Sequence, residues 1–151
     1  MIEVHEQHVN PLFDYDSAVY DQMLIKLAHP PKKRDWPLVT VNFDPTIPTI
    51  FQQPQQSRAA TQVTLIGVGH TDRNSHLPTV LQSLTVNYLP NPVCKSLPGM
   101  WQVKEDMICV IGGDENTSYT DQSQCNGDSG GPYLLLGNTY EEDLLIGTVS
   151  W

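Results

Sequence analysis

Apolar residues along this chain come in short alternating stretches or short runs, and glycine or proline ends each before it grows long. Gln62-Val63-Thr64-Leu65-Ile66-Gly67-Val68-Gly69 alternates at first and then closes in two glycines. Residues 81–89 alternate through Leu84, Val86 and Tyr88. A period of two is the mark of a strand with one buried face. Met23-Leu24-Ile25-Lys26-Leu27 is instead a nearly continuous apolar run that stops before His29-Pro30-Pro31. A proline pair ends regular structure, so this run predicts a short buried strand rather than a helix. Leu38-Val39-Thr40-Val41 is a second short strand, rich in β-branched residues. Residues 106–111, 133–136 and 144–149 complete the set, with Gly137-Asn138 between the last two as a hairpin-type turn. Many short strands with Gly and Pro between them predict an all-β barrel or sandwich. Residues 52–57 (Gln-Gln-Pro-Gln-Gln-Ser) lack apolar periodicity and read as a linker, dividing the chain into residues 1–51 and 58–151.

Composition narrows the classes. The 151 residues are 39% apolar and 17% charged, enough for a core and too apolar for disorder. A formal net charge of -9 leaves no basic stripe to neutralise phosphates, so no nucleic-acid partner is expected. Lys32-Lys33-Arg34 reads as a solvated loop after the proline pair. No apolar run approaches the roughly 20 residues that span a bilayer, so no membrane partner is expected. Met1-Ile2-Glu3-Val4-His5 is not a signal peptide. The three cysteines are an odd number, so at least one lacks a partner within these residues. A secreted parent with part of its sequence missing fits these facts, and so does a reduced cytosolic protein. His5-Glu6-Gln7-His8 sets its histidines three apart, whereas the zinc-protease motif needs four, so no metal or other cofactor is expected.

The chemistry concentrates at Gly127-Asp128-Ser129-Gly130-Gly131-Pro132. Glycines around a serine free the backbone for positive φ and for close approach to a ligand. Successive amides in such a turn can converge into an anion site. A hydroxyl beside an anion site is what acyl transfer needs. The same residues also suit an ordinary tight turn.

Cys125-Asn126-Gly127-Asp128-Ser129-Gly130-Gly131-Pro132 resembles the nucleophile signature of the chymotrypsin/trypsin family of serine endopeptidases. Further likenesses follow in the family's order. His8-Val9-Asn10-Pro11-Leu12-Phe13 resembles its non-catalytic His-Pro-x-aromatic stretch, and Asp21 to Leu27 its segment around the triad aspartate. Gly67-Val68-Gly69 resembles its Gly-Trp-Gly turn with valine in place of tryptophan, and Met107-Ile108-Cys109 its Met-aliphatic-Cys strand. Gly147-Thr148-Val149-Ser150-Trp151 resembles the strand lining its substrate cleft.

The resemblance implies a two-barrel chymotrypsin-like fold, all-β and incomplete at both ends. Residues 1–51 would be a remnant of the first barrel, and residues 58–151 most of the second without its last strand and terminal helix. By the same resemblance Ser129 is the nucleophile, Gly127 and Ser129 supply the oxyanion-hole amides, and Asp21 orients a catalytic histidine. Asp128 corresponds to the aspartate that pairs with a new α-amino terminus after zymogen cleavage, and without that terminus it is expected to lack its partner. Ser123, six residues before Ser129, falls at the base of the specificity pocket, with Gln124 beside it. An uncharged base leans toward an apolar or aromatic P1 residue. Ser150 and Trp151 would pair with substrate backbone. Cys94 and Cys109 match a family disulfide, and Cys125 a cysteine whose partner falls beyond residue 151. Asn116-Thr117-Ser118 is a glycosylation sequon.

One triad member is missing. The family's order is His, Asp, Ser, yet only 20 residues precede Asp21 and none has the Ala-Ala-His-Cys context. His29, His70 and His76 come after Asp21. The expectation is therefore a fragment of a secreted, monomeric serine endopeptidase acting on protein or peptide substrates, itself poorly stable and close to inactive. The alternative is a non-catalytic homologue that binds protein.

Overall fold

The computed structural model describes residues 3–30, 38–48, 61–71, 76–112 and 124–151. Among these residues there are eight strands and one four-residue helix, in the order β1 (Val4–Val9), β2 (Met23–Leu27), β3 (Thr40–Val41), β4 (Gln62–Gly67), β5 (Gln82–Leu89), α1 (Asn91–Cys94), β6 (Cys109–Ile111), β7 (Pro132–Leu135) and β8 (Leu144–Thr148). The all-β expectation holds. The linker at 52–57, Ser123 and Asn116 lie outside the described residues.

Six strands form one sheet in the order β3-β8-β7-β4-β5-β6. The alternation in β4 and β5 sets their register: Val63 faces Val86, and Leu65 faces Leu84. Val63 and Val86 are almost wholly buried, and with Leu65, Tyr133 and Val149 they form the core. Full burial of such an aliphatic side chain is worth roughly 1.5–3 kcal/mol. Leu84, Tyr88, Val110 and Ile146 pack around this centre. Pro132 is tolerated as the first residue of its strand. The sheet is not closed: β3 pairs with β8 alone and β6 with β5 alone among the described residues. β3 belongs in sequence to residues 1–51, yet it extends the larger sheet by parallel pairing with β8.

The first two strands stand apart as an antiparallel ribbon with a register shift between Val4 and Glu6. β2 is a strand as its sequence predicts, but every residue in it is exposed, not buried. Among the described residues the apolar run pairs with β1 alone, and its side chains stay exposed. A lone two-stranded ribbon is marginal in water. Glu6 holds its strands together with an ion pair to Lys26 at 2.9 Å, a surface contact worth at most about 1 kcal/mol. His5 and His8 also face Glu6, at 3.2 and 3.0 Å.

Between β1 and β2 the chain makes a compact loop. Asp14 Oδ1 accepts the Ser17 N–H and hydroxyl at 2.8 and 2.6 Å. These hydrogen bonds hold the Asp14 carboxyl below its usual range. Ala18 and Tyr20 take positive φ, 51° and 55°. The β7–β8 connection also differs from expectation. It is no two-residue turn at Gly137-Asn138 but spans residues 136–143. Asp143 accepts the Gly137 N–H and Glu142 the Asn138 N–H, so carboxylates stabilise a wider loop.

Candidate active site

Ser129 sits in the loop leading into β7, exposed, between Gly127 at φ 96° and Gly130 at φ 80°. Both values lie in the left-handed region that a side chain disfavours, so the turn needs glycine at these positions. Gly130 N–H donates to the Val149 carbonyl at 2.8 Å, and Val149 N–H to the Gly131 carbonyl at 2.9 Å. This pair of bonds lays the serine loop along the end of β8. No acceptor among the described residues takes the N–H of Gly127 or of Ser129.

Asp128, next to Ser129, anchors the loop. Its Oδ1 accepts the Gly69 N–H at 2.8 Å and its Oδ2 the Cys125 N–H at 3.0 Å. Two main-chain donors, the Gly69 and Cys125 N–H groups, satisfy this carboxylate. Gly69 has no room for more: a Cβ there would lie 2.5–2.7 Å from the carboxyl carbon and oxygens of Asp128. The Gly-Val-Gly turn at 67–69 is therefore shaped around this side chain.

Asp21 follows the left-handed Tyr20, and its Oδ2 accepts the Ser150 hydroxyl at 2.7 Å. Ser150 is the residue after Val149, and Ser129 the residue before Gly130. The Val149–Gly130 bond thus brings Asp21 and Ser129 onto one end of the sheet although 108 positions separate them in sequence (129 − 21). A cavity of about 440 Å³ opens beside them, lined by Asp21, Gln124, Met107, Ile146, Ser150 and Trp151 among others; Ser129 is not part of its wall.

Gln124 bridges the cavity's floor. Its Oε1 accepts the Tyr133 hydroxyl at 2.9 Å and its Nε2 donates to the Trp151 carbonyl at 3.2 Å. Tyr133 is 5% exposed, and burial, then the charge of Asp128, pushes its phenol up from 10.0 to about 12. The folded state holds the proton more tightly than the unfolded one. This contribution to stability is complete below pH 10 and is lost as pH rises toward 12. Tyr133→Phe is expected to cost about 1 kcal/mol near neutrality, the worth of one hydrogen bond. It should also flatten the alkaline fall in a urea-melt series, and an unchanged alkaline limb would assign that fall to other groups.

The sequence pattern alone did not reveal the Tyr133–Gln124 bond; Tyr133 reads there only as an apolar strand residue. The other sequence-predicted residues are placed as follows. Asp21, Gln124, Ser150 and Trp151 meet at the cavity, Gly127 and Ser129 share the adjoining turn, and Cys94 is bonded to Cys109. Cys125 is free and exposed.

Residues 2–151 match the family model described as Trypsin. The chain belongs to the trypsin family of serine proteases. It is 31% identical to "Trypsin-1" of Astacus astacus over 92% of this chain and 52% of that protein. It is 31% identical to "Serine protease 1" of Canis lupus familiaris, over 94% and 49% of the two chains. Identity to "Trypsin iota" of Drosophila melanogaster is 30%, over 99% and 49%. The chain spans about half the length of these relatives.

Proposed function

We propose that this chain carries the nucleophilic half of a serine endopeptidase, with Ser129 as nucleophile and Asp21 as the triad aspartate. The observation that supports it most is the 2.7 Å bond from Ser150 to Asp21, because it brings a carboxylate from residue 21 to the strand end that also anchors the Ser129 turn. In the proposed reaction Ser129 Oγ attacks a peptide carbonyl, and the N–H groups of Gly127 and Ser129 receive the oxyanion. An imidazole between Ser129 and Asp21 would take the serine proton and return it to the leaving amine. Residues 1–51 would serve as part of the barrel carrying the aspartate, and residues 58–151 as most of the barrel carrying the nucleophile. Secretion of the parent protein accords with the Cys94–Cys109 disulfide, because such bonds persist in oxidising compartments.

None of the 20 residues before Asp21 has the sequence context of the missing base, so the 151-residue chain should react slowly by itself. Loss of one triad member leaves residual catalysis of about 10³–10⁴ over water from the oxyanion hole and binding. A fluorophosphonate probe should label the isolated chain slowly, at Ser129 in preference to other serines, and added imidazole should speed that labelling. Rapid stoichiometric labelling without imidazole would sink the claim of low activity. Labelling that ignores both imidazole and Ser129→Ala would sink the assignment of the nucleophile.

A further inference from the structure

Among the described residues two hydrogen bonds cross from residues 3–30 to the half of the molecule built on the larger sheet, and they fall on consecutive residues. One is the Asp21–Ser150 bond described above. The other runs from the Tyr20 N–H to Asp106 Oδ2 at 2.7 Å. We infer that Asp106 is a positioning residue for the site: it holds the Tyr20 backbone in its left-handed conformation and so sets where the Asp21 carboxylate lies. The inference rests on reading Asp21 as the triad aspartate, but the geometry can be tested without turnover.

Three features make Asp106 suited to this. First, Tyr20 is strained. A bulky side chain at φ 55° persists only when its surroundings hold it there, and Ala18 two residues earlier is held at 51°. The Tyr20 carbonyl is also engaged, accepting the Gln22 N–H at 2.7 Å. Both main-chain polar groups of Tyr20 are therefore tied, one locally and one to Asp106. Second, the acceptor is a carboxylate, and a charge-assisted bond is stronger than a neutral one.

Third, Asp106 stands on a braced turn. Met107 N–H donates to the Lys104 carbonyl at 3.2 Å, and Asn91 Nδ2 reaches the carbonyls of both Lys104 and Met107 at 2.9 Å. Asn91 opens α1, and α1 ends at Cys94, which is bonded to Cys109 just past the turn. Helix, disulfide and amide bridge thus form a platform for one carboxylate. That carboxylate reaches 86 positions back along the chain to grip the residue before Asp21.

Hydrogen exchange and carboxyl ¹³C NMR on the intact 151-residue chain test this. Asp106→Ala should speed exchange of the Tyr20 N–H by about tenfold or more, the loss of one charge-assisted bond. It should also move the Asp21 carboxyl resonance toward its position in Ser150→Ala, the variant that cuts the Asp21 contact directly. Amides of β4 and β5 should keep their protection, which separates a local release from unfolding. Asp106→Asn retains an acceptor oxygen and should keep both the Tyr20 protection and the Asp21 signature. The inference fails if Asp106→Ala leaves the Asp21 resonance in place. It fails equally if Asp106→Asn behaves like Asp106→Ala while the β4 and β5 amides stay protected. All these measurements can be repeated in a Ser129→Ala background, so a negative result bears on Asp106 and not on the nucleophile.

Discussion

Asp128→Ala is expected to destabilise the chain by about 3 kcal/mol and to disorder the turn that presents Ser129. The figure follows from two charge-assisted bonds, to Gly69 and Cys125. Each such bond is worth roughly 1.5–3 kcal/mol, and the half-exposed setting puts both at the lower end. Removing the carboxylate also takes from both N–H groups the acceptor they share. Asp128→Asn should be nearly as harmful: its amide oxygen can accept one N–H, but its NH₂ then confronts the other. Gly69→Ala should reproduce the defect from the opposite side, since its methyl group occupies the space the carboxylate fills. Urea unfolding checks all three. With a slope of roughly 1–3 kcal/mol per molar urea, a loss of this size moves the midpoint by about 1–3 M. A midpoint unchanged in Asp128→Ala would mean that the turn holds its shape through its glycines and the Val149 bonds alone.

Opening the disulfide is the second large effect. Cys94 and Cys109 are 15 residues apart, and closing a loop of that length removes about 3 kcal/mol of unfolded-chain entropy. Reductant, or the double change Cys94→Ala with Cys109→Ala, should therefore lower stability by about that amount. A second, local readout is available. The bond spans the turn that Asn91 braces, so amide exchange across residues 95–108 should rise more than exchange in β4 or β7. A uniform rise would place the whole effect in the unfolded state. Cys125, free and exposed, should react with a thiol reagent before reductant is added, and the other two cysteines only after it.

Both effects concern parts of the site that were legible to different degrees. The Ser129 turn is local: glycines, serine and aspartate lie within six residues, and their backbone chemistry can be read without a fold. Strands β4, β5, β7 and β8 were legible because each buries side chains against the core, which imposes a pattern on the sequence. β1 was not. Val-His-Glu-Gln-His-Val has one half-buried position and otherwise exposed ones, so burial left no pattern to see. α1 is four residues long and contains proline, too short for a helical period to register. The apolar run in β2 misled in the other direction: it announces a strand that wants burial, and among the described residues it has one strand neighbour and stays exposed. Asp21 was legible only through family resemblance. Asp106 and Tyr133 were not legible at all, because their meaning lies in partners that sequence spacing does not disclose: a backbone N–H 86 positions away and an amide in another loop.

The contacts that assemble the site join parts of the chain that lie far apart in sequence. Gly69 meets Asp128 across 59 positions, Tyr20 meets Asp106 across 86, and Ser150 meets Asp21 across 129. Closing longer loops costs more entropy and slows the formation of such contacts during folding. The hairpin pairing of β4 with β5 can form early, but the aspartate can reach its hydroxyl partner only once both distant ends have been collected. A half-folded chain therefore holds the Ser129 turn before the Asp21 carboxylate has docked on Ser150, so the aspartate's docking is expected among the last steps of folding.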